Sequence, residues 1–134
     1  MHITGGCYCG QITFTAEVDP NKVRICQCKD CQILSGSAFR TVLPVAEADY
    51  KLLTGTPKIY VKTAESGRPR EQAFCPDCGT PLYATSVGGE PRVFGIRTGS
   101  IDQRADLVPT RQFWAQSKLG WVPDMPHMSS VDQQ

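Results

Sequence analysis

The chain has 134 residues, 40% of them hydrophobic, with 14 Lys and Arg against 13 Asp and Glu and a net charge of +1. That length suits a single domain with a real core, and the even charge balance leaves no electrostatic footprint for nucleic acid or an anionic membrane. No apolar run approaches the roughly 18 residues of a membrane helix.

The opening "MHITGGCYCG" has no basic stretch followed by an apolar one, so a secretory leader is not expected. The expected location is a reducing cytoplasm, where thiols stay free. "QITFTAEV" (Gln11 to Val18) alternates apolar and polar residues at the period of a half-buried strand. A short helix is expected from Asp30 to Gly36, through "CQILSG". "AFRTVLPV" (Ala38 to Val45) reads as a strand, and "VAEADYKLLTG" as a helical turn followed by the strand "DYKLL". "KIYVKT" (Lys58 to Thr63), "TPLYAT" (Thr80 to Thr85) and "PRVFGIRTG" (Pro91 to Gly99) are further strands, rich in β-branched and aromatic residues. "TGTP", "ESGRP" and "VGGEP" supply turns between them. "GRPR" (Gly67 to Arg70), the densest basic run, reads as a solvated loop. The expectation is one mainly-β domain of short strands over residues 1–122, followed by a polar, Pro-broken tail over 123–134.

Seven cysteines fall in three clusters: Cys7 and Cys9; Cys26, Cys28 and Cys31; Cys75 and Cys78. Two thiols one or two residues apart on a tight turn can face one metal ion, and thiolate ligands in a tetrahedral array favour zinc over magnesium or calcium. Disulfides would leave one of seven unpaired. Seven divides as four plus three: four thiolates close a structural site, and three leave a coordination position free. Spacing permits two partitions. Cys28, Cys31, Cys75 and Cys78 could imitate a zinc ribbon, leaving Cys7, Cys9 and Cys26. Alternatively Cys7, Cys9, Cys75 and Cys78 form the closed site and Cys26, Cys28 and Cys31 the open one. Locality favours the second, because three ligands in one six-residue loop need no long-range help.

"GGCYCGQITF", "CQCKDCQILSGSAF", "FCPDCGTPLY" and "GSID" resemble the glutathione-dependent formaldehyde-activating enzymes, a family that also includes centromere protein V. The likeness runs from Gly5 to about Val122. It implies a mainly-β fold of small zinc-stabilised sheets with short helical turns, similar to the zinc-binding chaperones of Rab GTPases. It implies a structural zinc on Cys7, Cys9, Cys75 and Cys78, and a catalytic, labile zinc on Cys26, Cys28 and Cys31. The implied activity is that of a carbon–sulfur lyase joining glutathione to formaldehyde, a small thiol and an aldehyde being the partners. Where many relatives carry His, this chain has Gln27 and "RQFW" (Arg111 to Trp114), so no histidine is evidently placed as acid or base; His2 and His127 lie in the termini.

A ligand with two carboxylates calls for cations. Arg24, Lys29, Arg40, Arg97 and Arg111 flank the motifs, and Arg97 is the first choice. Ser35 and Ser37 either contact that ligand or satisfy a helix end at Gly36. Trp114 and Trp121 either wall a pocket or pack in the core and tail. Two other functions compete with the enzyme: a non-catalytic zinc-stabilised binding module, and a metal or thiol carrier.

Overall fold

The computed structural model describes residues 1–133. Ten β-strands and one α-helix, joined by short 3-10 turns, make up the described chain. β1 (His2–Gly6), β2 (Thr13–Glu17) and β5 (Tyr50–Thr54) form a three-stranded sheet, antiparallel throughout. The alternation in β2 works as its sequence implies: Phe14 and Ala16 are buried while Thr13 and Thr15 look outward.

A seven-stranded sheet carries the rest, in the order β10, β3, β4, β9, β8, β7, β6. Its strands are β3 (Arg24–Cys26), β4 (Arg40–Ala46), β6 (Lys58–Thr63), β7 (Pro69–Phe74), β8 (Pro81–Ser86), β9 (Val93–Arg97) and β10 (Arg111–Phe113). All neighbours are antiparallel except β10 and β3. Because strand side chains alternate, the register separates two faces. Leu43 sits opposite Ile96 and Val45 opposite Phe94, and these residues join Ile3, Phe14 and Ile12 in the core between the sheets. Aromatic rings bind that core: Tyr83 stacks on Phe94 at 4.2 Å between centroids, and Phe14 on Tyr50 at 5.1 Å. The other face presents Cys26, Arg40, Val42 and Arg97, with Val42 opposite Arg97 and Cys26 opposite Arg40.

The single helix, α1 (Lys29–Ser35), ends at Gly36 with φ 65°, a left-handed cap that favours glycine. The "GSID" segment ties the sheets together. Gly5 bridges Ile101, the Asp102 N–H donates to the Thr4 carbonyl at 2.9 Å, and the Thr4 hydroxyl donates to Asp102 Oδ2 at 2.6 Å. A Cβ on Gly5 would lie 2.3 Å from the Ser100 carbonyl oxygen, so this crossing requires glycine.

The expected strands at 11–18, 38–45, 58–63, 80–85 and 91–99 all occur, as do the short helix and the turn preceding β5. Strands β1, β3, β7 and β10 were not expected. The solvated-loop reading of "GRPR" needs correction at its end: Pro69 and Arg70 open β7, and Arg70 is half-buried. No described helix is long and apolar enough to cross a membrane.

Candidate functional site

The turns after β1 and after β7 meet at four thiols. Cys7, Cys9, Cys75 and Cys78 have all their Sγ atoms within 4.8 Å of one another, with Cys7 to Cys9 at 3.5 Å and Cys9 to Cys75 at 3.8 Å. A tetrahedral zinc with Zn–S bonds near 2.3 Å needs sulfurs about 3.8 Å apart, so this group fits the ion. Backbone geometry builds it. The Cys7 N–H donates to the Ile12 carbonyl at 3.0 Å, and the Ile12 N–H donates back to Cys7 Sγ at 3.2 Å. In the second turn the Gly79 N–H reaches the Cys75 carbonyl at 2.9 Å, with Gly79 at φ 76°. Thr80 accepts from the Tyr8 N–H at 3.0 Å and holds Cys78 Sγ at 3.1 Å. That hydroxyl, aided by its own backbone N–H, draws the Cys78 thiol down to about 5.

A second group forms where β3 runs into α1. Cys26 ends the strand, Cys28 is the helix N-cap and Cys31 lies in the first turn. Their Sγ atoms also lie within 4.8 Å of one another, and all three side chains are half-buried. The Cys31 N–H donates to Cys28 Sγ at 3.3 Å. Hydrogen bonding from Cys31, then from Cys28, and the charge of Lys62 pull the Cys26 thiol to about 5 against the penalty of burial. The same pairing pushes Cys31 upward. Three thiols at this spacing fit a zinc ion that keeps one position open.

The three-thiol group opens into a cavity of about 640 Å³ on the polar face of the seven-stranded sheet. Five cations stand in its wall: Arg24, Arg40, Lys62, Arg70 and Arg97. No Asp or Glu does. Lys62 is paired, to Asp30 at 2.7 Å. Arg40 is only 6% exposed and has no carboxylate partner among the described residues, and its charge is felt by all three thiols. Arg97 donates through Nη2 to Gln72 Oε1 at 2.7 Å, while its Nε is buried with no partner. Burial, followed by the repulsion of Arg40, lowers Arg97 to about 9; thiolates at Cys31 and Cys26 oppose the fall, and Arg70 adds to it. Nearby carboxylates are committed elsewhere: Glu47 and Glu71 both bond Arg92.

Arg97, Arg40 and Arg24 therefore line the cavity, but Lys29 and Arg111 do not. Arg111 lies over the Phe113 ring at 5.2 Å from its centroid, and Arg24 at 5.1 Å. The serine hydroxyls act at the end of α1, with Ser35 Oγ donating to the Gln32 carbonyl at 3.4 Å and accepting from the Ser37 N–H at 3.3 Å. Neither serine lines the cavity. Trp114, at φ 56°, stands in the wall beside Phe113, and Trp121 does not. Gln27 is 2% exposed and turns to Gln112 Oε1 at 3.2 Å, out of the cavity wall. His2 pairs with Glu17 on the far sheet, and His127 is exposed.

Sequence reading missed Lys62, Arg70 and Gln72. The available signal was their spacing, with Lys62 opposite Arg70 and Tyr60 opposite Gln72 on one face of β6 and β7.

The fold resembles a crystal structure of a Rhodobacter sphaeroides protein, with a TM-score of 0.63 and 17% identity over 82% of this chain and 99% of that one. Residues 2–117 match the family description "Glutathione-dependent formaldehyde-activating enzyme". With that match spanning most of its length, the chain belongs to the glutathione-dependent formaldehyde-activating enzyme family.

Proposed function

We propose that the protein is a zinc-dependent carbon–sulfur bond-forming enzyme. In this reading it joins a carboxylated thiol of the glutathione class to an aldehyde such as formaldehyde. The observation that carries the reading is the position of the open three-thiol group at the edge of a cavity with two guanidiniums, buried Arg40 and half-buried Arg97, that have no carboxylate partner among the described residues. A pure scaffold needs one closed site, which Cys7, Cys9, Cys75 and Cys78 already supply; the binding-module alternative leaves the second group without a task.

Zinc on Cys26, Cys28 and Cys31 would supply an electrophilic centre that holds a substrate thiol in its deprotonated form near neutral pH. Arg40 and Arg97 take the carboxylates of the thiol, since neither has a carboxylate partner among the described residues and Arg97 Nε has no hydrogen-bond partner. Leu34, Phe113 and Trp114 supply an apolar part of the cavity wall. The sulfur then adds to the carbonyl carbon, the C=O π pair moves to oxygen, and solvent protonates that oxygen. The product is a hydroxymethyl thioether, and the reverse reaction is the lyase direction. With Gln27 turned away and no histidine in the wall, no side chain of the cavity is assigned the proton transfer. Seven free thiols suit a reducing cytoplasm, which the reading includes.

The test is exchange between free and thiol-bound ¹³C-formaldehyde, followed by NMR with glutathione and zinc-loaded protein. Exchange faster than the protein-free rate, lost in Cys28→Ser, is the expected result. Unchanged acceleration in that variant would exclude the three-thiol group from catalysis.

A further inference from the structure

A second cavity, of about 360 Å³, adjoins the first at the β6–β7 edge of the same sheet. Leu34, Arg40, Gln72 and Arg97 belong to both walls, so the Arg97–Gln72 hydrogen bond forms a sill between two compartments. Beyond the sill the character changes. The second compartment is walled by Ile59, Tyr60, Phe74, Pro81 and Tyr83, with Lys58 as an additional cation. Tyr60, opposite Gln72, is 56% exposed on β6, the edge strand, and Leu34, which lines both compartments, is 38% exposed. Tyr60 and Phe74 share the face of Gln72 and do not belong to the core, whereas Tyr83 packs against it.

A one-carbon aldehyde is little larger than a water molecule, which takes about 30 Å³ of the liquid. It has no use for an apolar compartment several times that size. We propose that this compartment holds the substituent of a larger aldehyde, an alkyl or aryl group of roughly six carbons, while the thiol's carboxylates occupy Arg40 and Arg97. This rests on the thiol–aldehyde reading above and names its electrophile. The electron balance is that of any such addition: the sulfur forms the S–C bond, the C=O π pair goes to oxygen, and the thiol's proton ends on that oxygen. No oxidant or reductant enters. The occupant is an apolar group attached to an anion-bearing body because Arg40 and Arg97, which have no carboxylate partner among the described residues, stand in the walls of both compartments.

S-substituted glutathiones imitate the adduct without reacting. Isothermal titration of the zinc-loaded protein with S-hexylglutathione and S-methylglutathione reads the compartment directly. The hexyl derivative is expected to bind about tenfold more tightly, or better, from burial of its extra methylenes. Tyr60→Asp and Leu34→Gln, both at exposed positions that leave the core untouched, should each reduce that preference towards one. A hexyl preference that survives both substitutions would overturn the assignment of the compartment. Equal affinities in the wild type would overturn the larger aldehyde while leaving the glutathione reading standing; should the wild type then sediment as a dimer that Tyr60→Asp dissociates, the compartment belongs to a second copy. Failure of both derivatives to bind would overturn the two proposals together.

Discussion

Cys28 Sγ accepts the Cys31 N–H at 3.3 Å, so one thiol of the open group is also the N-cap of α1. Serine is a strong N-cap, whereas alanine cannot cap. Cys28→Ser should therefore keep the stability of the metal-free protein, and Cys28→Ala should lose about 1 kcal/mol. Both variants should bind one zinc fewer. Urea denaturation in the presence of chelator, together with metal analysis, checks this. Equal stability losses in the two variants would deny the capping role.

Arg97 is held in the fold with its Nε unbonded and with no carboxylate partner among the described residues. Such a group costs stability until a ligand arrives. Arg97→Gln should raise the stability of the unliganded protein by about 1 kcal/mol or more, and should weaken S-methylglutathione binding by about tenfold or more. Chemical denaturation and calorimetry measure the two effects. A destabilised variant with unchanged affinity would make Arg97 a structural residue.

The pH dependence follows from the same group. Arg97 is lowered to about 9, and only the charged guanidinium attracts a carboxylate. Affinity for S-methylglutathione should fall as pH rises through about 9, and the fall should be absent from Arg97→Gln. The sign for folding is the opposite: the unfolded chain keeps its proton to higher pH, so this group's contribution to stability increases above the folded value. Calorimetric titrations across that range, wild type against variant, decide the matter.

On the proposed reading the closed group serves the fold and the open one the chemistry. Cys9 is exposed, so Cys9→Ser leaves no hole in the core, and any loss reports on the metal. That substitution should lower the melting temperature of the zinc-loaded protein by about 10 °C or more, whereas Cys31→Ser should change it far less. Thermal scans followed by circular dichroism compare the two. Similar losses would mean that both groups serve the fold.

Much of this architecture is legible in the sequence, and the illegible part has a physical cause. Strand β2 and the helix ending at Gly36 follow from apolar alternation and a glycine stop. The two thiol groups follow from spacing and from their likeness to a known family. Strand β7 did not announce itself because its alternate positions are Arg70 and Gln72, polar residues that face the cavity instead of apolar ones that face a core. Strands β3 and β10 are three residues each and pair in parallel, too short for a period to register. The serines of "SGSAF" remained ambiguous in sequence because a ligand loop and a helix cap draw on the same residues. In the fold their hydrogen bonds run to the end of α1.

Native mass spectrometry of the reduced, zinc-supplied protein, with and without glutathione, tests the division of the seven cysteines into a closed and an open site most directly. Two zinc ions per chain should be seen, with one glutathione bound in the wild type, and Cys31→Ser should lose both the second zinc and the glutathione. A single zinc that glutathione ignores, or a glutathione complex that survives Cys31→Ser, would contradict it.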